Sequence, residues 1–226
     1  MKNPPARKRH PDNPNLRQFE DDRYHSMPVC TSGGPLIEEY LERIDDVLQG
    51  SLRCHPRITA MRFDLRLPAG VDMPVEDNRL MTDFWRRLKE RIDHARNQAS
   101  KRLANAHDTE VQYLWTREYD QGRGRPHWHC LLLVNKDAFY GMGSFESENS
   151  NTYWRIVSAW CAALGLATEQ GQPLVHVPDN AVYHVDREDR DGAYAKLFFR
   201  ASYFAKMKTK AYHGHVNAFG GSQIRC

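Results

Sequence analysis

Two histidines separated by a single residue, His127 and His129, are the first candidates for chemistry in this sequence. Residues 127–135 (HWHCLLLVN) have the composition of a β-strand, and side chains two apart on a strand point to the same face. Two adjacent imidazoles with a carboxylate nearby suit a divalent metal ion. A His-x-His pair also occurs on half-exposed strands without any function, so this pair alone leaves both interpretations open.

The candidate carboxylate is Glu118, in the preceding predicted strand, 110–119 (EVQYLWTREY). The link 120–126 is rich in turn-forming residues, so the two strands are predicted to form a hairpin. A register with an odd index sum places Glu118 directly across from His127 or His129. An even sum turns Glu118 away, and the sequence does not fix the register.

A tyrosine within a row of cations is the second candidate, in a helix predicted over 192–207. The residues that would share one helix face, at spacings of 4, 3, 3 and 4, are Lys196, Arg200, Tyr203, Lys206 and Lys210. Nearby ammonium groups favour the phenolate, which is the better nucleophile, and they can hold a phosphate diester. An amphipathic surface helix with an exposed tyrosine is the alternative interpretation.

The elements that must position these residues alternate between helices and strands. Apolar spacing predicts helices over 35–49 and 151–164, the latter closed by Gly165, and a helix at the start of 78–104. Residues 57–67 alternate as a strand with a wet face carrying Arg62, Asp64 and Arg66. Weak strands are predicted at 174–177 and 181–185. The fold class is therefore α+β, with an antiparallel central sheet flanked by helices.

Composition and charge narrow the protein class. The chain has 226 residues, 40% hydrophobic and 27% charged, as expected for one globular domain, and no apolar run could span a membrane. The basic, Pro-rich start does not resemble a secretory signal. Five scattered cysteines without a CxxC pair exclude a zinc ribbon and favour a reduced, cytosolic setting.

The net charge of +3 is unevenly distributed. Residues 1–17 carry +4 and residues 192–226 carry +6, so the body between them carries −7. Basic ends beside an acidic body suit a protein that binds phosphates and a metal ion, although solvated surface accounts for them equally well. We predict a basic, flexible tail over 1–33 and one domain over 34–226.

Together, the His-Trp-His strand and Tyr203–Lys206 resemble the HUH endonuclease superfamily, which combines a His-hydrophobic-His strand with a tyrosine on a later helix. More specifically, five blocks in order resemble the inovirus-type replication proteins and their prophage relatives of the YagK/YfjJ type. These blocks are Arg57–Pro68, Trp115–Glu118, Pro126–Lys136, Ala159–Leu166 and Ser202–Lys206. The resemblance extends over about 35–222 and implies an HUH endonuclease-like, Rep-like fold.

The resemblance implies a rolling-circle replication initiator. Tyr203 would attack a scissile DNA phosphate, forming a 5′-phosphotyrosine and freeing a 3′-OH, while Lys206 would position the phosphate or stabilise the phenolate. His127, His129 and Glu118 would hold Mg²⁺ or Mn²⁺. The cations expected to bind DNA are Arg123, Arg125, Lys196, Arg200 and Lys210.

Several alternatives and partners follow from the same residues. Tyr194 is the rival nucleophile, but the position three residues later is Leu197 rather than lysine. No P-loop motif is present, so strand separation is expected to need a host helicase or supercoiling. The expected partners are single-stranded DNA or an origin hairpin and host helicase and polymerase, in the bacterial cytoplasm. A non-cleaving DNA-binding regulator and a transposase or relaxase remain alternative functions.

Overall fold

A computed structural model describes residues 8–70, 77–120, 124–146, 150–210 and 217–224. Its centre is a six-stranded sheet formed by β5 (Arg57–Arg66), β6 (Gln112–Tyr119), β7 (Pro126–Asn135), β8 (Val175–His176), β9 (Val182–Asp186) and β10 (Phe219–Gly221). Every described pairing is antiparallel. The strand order is β10-β6-β7-β5, and β8 and β9 pair with separate parts of the outer edge of β5.

Helices cover both faces of the sheet. They are α1 (Glu38–Cys54), α2 (Arg79–Arg102), α3 (Thr152–Leu164) and α4 (Ala195–Ser202). A π-helical turn (Arg190–Tyr194) precedes α4, and 3₁₀ turns occur at Thr168–Gln170, Gln172–Leu174 and Tyr203–Ala205. This architecture confirms the predicted α+β class with an antiparallel sheet between helices.

Each face of the sheet has its own hydrophobic core. Trp128, Cys130 and Leu132 of β7 pack on the α2–α3 side, with Phe84 and Trp160. Leu131 and Leu133 pack on the α1–α4 side. Because side chains alternate along a strand, His127 and His129 lie on the same face as Leu131, towards α4.

Strand β5 is buried on both faces, so the prediction of a wet face at Arg62, Asp64 and Arg66 is wrong for the first two. Arg62 is 8% exposed and Asp64 is 7% exposed, whereas Arg66 is exposed at the strand end. A central strand covered on both sides by helices has no solvent-facing row, so polar residues within it must find partners inside the protein.

Much of the predicted tail packs onto the domain. Phe19, Tyr24 and Val29 are buried against the α1–α4 side. The short strands of this segment are β1 (Gln18–Phe19), β2 (Arg23–Tyr24), β3 (Met27–Pro28) and β4 (Leu36–Ile37), which pair as β1–β4 and β2–β3. Residues 18–33 therefore contribute to the core rather than forming a flexible extension.

The predicted helix over 192–207 is shorter than expected. The α-helix ends at Ser202, a 3₁₀ turn follows, and Lys206 has extended backbone angles (φ −57°, ψ 140°). The row of cations therefore does not form one exposed helix face: Lys196 is exposed on α4, whereas Lys206 lies beyond the helix and is 7% exposed.

Two further expectations concern cysteines and membranes. Cys30, Cys130 and Cys161 carry free thiols, but Cys54 is disulfide-bonded, so the expectation of reduced cysteines fails at that position. Among the helices of the described residues, none combines the length and apolar character needed to cross a membrane.

Gly220 allows the edge strand β10 to approach Trp115, its partner on β6. A Cβ at this position would lie 2.5 Å from Trp115 Cε2, in a ring that is itself 7% exposed. We expect Gly220→Ala to lower the free energy of unfolding by about 1–3 kcal/mol in urea titrations, because the packed indole has little room to move.

The matched control is Gly141→Ala, whose added Cβ meets nothing within 4 Å. Its free energy of unfolding should change by no more than about 0.5 kcal/mol. Equal stability of the two variants would contradict the packing of β10 against Trp115.

Candidate active site

The β6–β7 hairpin brings the two histidines and Glu118 together. The register pairs Glu118 with His127 and Thr116 with His129, which is the odd-sum register. One ligand atom from each of Glu118, His127 and His129 lies within 4.8 Å of the others, and Glu118 Oε2 is 3.5 Å from His129 Nε2. Glu118 and His129 are buried, whereas His127 is half-buried near the turn of the hairpin.

A second carboxylate orients His129 from the other side. Asp64 on β5 pairs directly with His129, and its Oδ1 is 2.7 Å from His129 Nδ1. We assign the Nδ1 proton to this hydrogen bond; in the charged ring Nε2–H faces Glu118, and loss of that second proton frees the Nε2 lone pair for a metal ion. Carboxylates orient metal-binding histidines in this way in many proteins.

Electrostatics favour positive charge between these carboxylates. Burial acts to raise the pKa of Glu118, but its hydrogen bond to His129 and the charges of Lys210 and Lys206 outweigh burial and hold that pKa well below its ordinary value. Burial acts to lower the pKa of His129, yet Asp64 and Glu118 raise it overall. The pKa of His127 is lowered by burial and by His129, which favours the neutral, ligating form.

The segment that follows α4 closes over Glu118. Lys206 Nζ is 2.7 Å from Glu118 Oε2, and Thr209 Oγ1 donates a hydrogen bond to the same oxygen at 2.9 Å. Lys210 Nζ lies 3.6 Å from Glu118 Oε1, and the Lys210 side chain is 0% exposed. Burial lowers the pKa of Lys210 to about 8, although Glu118 opposes this shift.

Tyr203 lies beside the histidines. Its ring contacts His129 edge-on with a centroid distance of 5.8 Å, and its hydroxyl oxygen accepts a hydrogen bond from Lys206 Nζ. The guanidinium of Arg62 is 5.6 Å from the centroid of the same ring. The half-buried phenol therefore lies between a cation and a histidine of the candidate metal site.

Tyr194, the rival nucleophile, is a buried residue of the hydrophobic core. It is 1% exposed, and its hydroxyl donates a hydrogen bond to Asp45 Oδ1 at 2.7 Å. A buried tyrosine with its hydroxyl committed to a core carboxylate cannot meet a DNA phosphate without unfolding the surrounding α1–α4 core.

The donor set of this site fits a divalent metal ion. Two imidazoles and one carboxylate are ligand types that suit Mn²⁺ at least as well as Mg²⁺. Glu118 Oε1 is buried and accepts no hydrogen bond within the described ranges, and an ion there would compete with Lys210 Nζ, which lies 3.6 Å from this oxygen. The ammonium of Lys206 occupies the other carboxylate oxygen, so an ion and this lysine would share one ligand.

The predicted DNA-binding cations lie in different environments. Arg125 hydrogen-bonds the carbonyl of Pro68 and lines a cavity of about 330 Å³ with Asp64, His127 and His129. Arg200 donates to the carbonyl of Asp179 at 3.1 Å. Lys210 is enclosed beside Glu118, and Arg123 lies outside the described residues. DNA binding by these residues stays a prediction.

Sequence reasoning missed the role of Asp64 and Arg62 at this site. Arg62 NH2 lies 3.3 Å from His129 Nδ1, and its charge helps to hold the pKa of Asp64 below the ordinary value, against the effect of burial. The signal was present in the alternation of β5, which places both residues on the face shared with His129. What was lacking was the pairing of β5 with β7.

The chain is similar to the proteins of one family. The profile of the YagK/YfjJ C-terminal domain matches residues 19–222. YfjJ, an uncharacterized protein of Escherichia coli (strain K12), is 28% identical over 208 residues, covering 87% of this chain and 100% of YfjJ. YagK, an uncharacterized protein of the same organism, is 29% identical over 200 residues, covering 84% of this chain and 95% of YagK. No solved structure matches the chain.

Removing the charge of Glu118 should destabilise the protein. In Glu118→Gln, Lys206 and Lys210 would remain buried without their anion, and breaking a buried ion pair in this way costs about 3 kcal/mol or more. Urea unfolding at neutral pH in EDTA measures this loss. Glu110→Gln, an exposed change of the same chemistry, should leave stability within about 0.5 kcal/mol. Equal effects of the two substitutions would contradict the buried ion-pair network.

Proposed function

The chain belongs to the YagK/YfjJ C-terminal domain family, and we propose that it is a metal-dependent, single-tyrosine DNA nicking and strand-transfer protein. In this proposal it initiates rolling-circle replication of a phage, prophage or related mobile element on an HUH endonuclease-like fold. The observation that carries the proposal is the contact of Tyr203 with His129, within the cluster formed by Glu118, His127 and His129.

The proposed reaction is a reversible exchange of phosphodiester bonds. The Tyr203 oxygen forms a bond to the scissile phosphorus as the bond from phosphorus to the 3′ oxygen breaks. The tyrosine loses its proton and the leaving 3′ oxygen gains one, so the step needs no oxidant or nucleotide. The reverse attack, by a 3′-OH on the 5′-phosphotyrosine, joins strands and completes strand transfer.

The residues around Tyr203 have distinct roles in this step. The Lys206 ammonium, which already donates to the Tyr203 hydroxyl, stabilises negative charge on the attacking oxygen. Asp64 orients His129, and Glu118 holds Lys206 in place. An ion bound by His127, His129 and Glu118 would polarise a phosphate oxygen and offset charge in the transition state.

The entering DNA strand would follow the turn end of the hairpin. His127 is half-buried there, and it lines the cavity of about 330 Å³ together with Arg125. Arg125, Lys196 and Arg200 would contact the DNA phosphates, with single-stranded DNA or an origin hairpin as the substrate. Host helicase and polymerase in the bacterial cytoplasm would extend the freed 3′-OH.

One observation favours a second candidate function, a non-cleaving DNA-binding regulator on the same fold. Lys206 and Lys210 both approach the carboxylate of Glu118, which would otherwise serve as a metal ligand. If these ammonium groups replace the ion permanently, the site neutralises its own charge and lacks a Lewis acid. The covalent adduct described next separates the two functions.

We expect the wild-type chain, mixed with Mn²⁺ and a 3′-labelled single-stranded DNA library with a random central segment, to form a labelled covalent adduct on a denaturing gel. Tyr203→Phe should abolish the adduct, because the attacking oxygen is absent. Tyr140→Phe, at a 73% exposed tyrosine stacked on His184, should leave it unchanged. An undiminished adduct in Tyr203→Phe would move the nucleophile elsewhere, and no adduct in wild type would favour the regulator.

Asp64→Asn should weaken Mn²⁺ binding, measured by calorimetry, because the carboxylate that orients His129 is lost. Loss of such an outer partner typically costs about 10- to 100-fold in metal affinity. Asp93→Asn, on the exposed surface of α2, is the control and should bind Mn²⁺ as the wild type does. Unchanged affinity in a folded Asp64→Asn protein would contradict the orienting role.

A further inference from the structure

A second, larger cavity lies on the face of the sheet opposite Tyr203. It is a groove of about 960 Å³ between α2 and α3. These helices pack on the core that contains Trp128 and Trp160, whereas His129 and Tyr203 face α4. The groove is therefore separated from the candidate active site by the thickness of the sheet.

Positive charge is concentrated along this groove. Residues 79–102, which form α2, contain eight Lys or Arg residues and three acidic residues, within a body that is otherwise acidic. Three arginines line the groove: Arg91 and Arg102 from α2 and Arg155 from α3. Glu90 also lines it, but its carboxylate pairs with Arg86.

Two of these guanidinium groups are held in place by neutral partners. Arg91 Nε donates to Ser158 Oγ at 3.1 Å, and its NH1 donates to the carbonyl of Arg87 at 3.1 Å. Arg155 donates to the carbonyl of Ser150. Neutral partners fix the positions of the two guanidinium groups without neutralising their charge. Both arginines are therefore preorganised to bind an anion.

Arg96 adds to the positive charge around Arg155. Arg96 and Arg155 approach the same ring, with guanidinium carbons 5.6 Å and 5.8 Å from the centroid of Phe139. The pKa of Arg155 is lowered by burial and by Arg96, and Arg96 Nε is buried without a hydrogen-bond partner in the described structure. Over the described part of the chain, neither arginine forms an ion pair, so a bound anion would relieve this repulsion.

We propose that the α2–α3 groove binds the phosphodiester backbone of duplex DNA that flanks the strand entering the tyrosine site; the choice of DNA rests on the proposed function. Arg91 and Arg102 are eleven residues apart, about 16 Å along the helix axis, which matches about five nucleotide steps of one strand. The groove offers guanidinium groups, and its aromatic residue, Trp154, is half-buried. Single strands are usually held by stacking on exposed aromatic rings, so these features favour a duplex.

The test is fluorescence anisotropy of a labelled duplex with the full chain carrying Tyr203→Phe, in EDTA, so that neither metal nor nicking affects binding. Arg102→Gln should weaken binding roughly fivefold at physiological salt and reduce the slope of log affinity against log salt by about 1, as expected for one lost phosphate contact. Lys101→Gln removes the same charge from the same helical turn but lies outside the groove lining, and it should change both quantities much less.

Three outcomes would overturn the proposal. Equal effects of Arg102→Gln and Lys101→Gln would indicate unspecific charge attraction. If Arg102→Gln weakened the binding of the corresponding single strand by the same factor, the groove would have no preference for a duplex. If inorganic tripolyphosphate displaced the labelled duplex as effectively as unlabelled duplex DNA at the same phosphate concentration, the ligand would be a small polyphosphate. The nicking proposal is tested independently of the groove, because it fails if the chain with Tyr203 intact forms no covalent adduct with DNA.

Discussion

The arrangement of the site depends on the burial of one carboxylate. Glu118 is 2% exposed in the central sheet, and an ionised carboxylate there is stable only if positive groups compensate for the water it has lost. His129 supplies one such group from the neighbouring strand, and Lys206 and Lys210 supply two from the segment that follows α4. The requirement for compensating charge therefore holds the segment that follows α4 against the hairpin, and Tyr203, which lies in that segment, is held beside it.

The N-terminal segment supports the same contact from outside. Ser202 Oγ accepts a hydrogen bond from the backbone N–H of Cys30, and Leu36 forms a β-bridge with Lys206. Gly33 lies against the Lys206 stem, where an added Cβ would be 3.1 Å from Cδ. A lysine in extended backbone beyond a helix end has little intrinsic order, so these contacts fix the direction of its ammonium towards Glu118 and Tyr203.

Charged residues on the two faces of the sheet lie in different environments. On the α4 face, acidic and basic groups are buried together and compensate one another around His129. On the α2–α3 face, arginines are held by neutral partners, and their charge remains available to an anion. The sheet between them is buried on both sides and gives each set a rigid support, so the separation between the two sites is fixed.

The sequence by itself determined most of the helices and strands and the types of side chain at the candidate site. Apolar periodicity predicted the presence of three helices and of the hairpin, although α1 continues past its predicted end to Cys54. The candidate residues His127, His129, Glu118 and Tyr203 were proposed from residue type and spacing. These signals are local, because side-chain alternation and helical repeats depend on neighbouring residues. The helix at 192–207 was predicted too long, because tertiary contacts of Lys206 outweigh local helix propensity.

The tertiary structure decided which of these residues meet. Only strand pairing fixed the register that places Glu118 across from His127, since either register satisfies the alternation of each strand. Only the position of β5 beside β7 turned Asp64 from an expected surface residue into the partner of His129. Asp64 and His129 are 65 residues apart in the sequence, and no local pattern encodes such a contact because it arises from the packing of the whole chain.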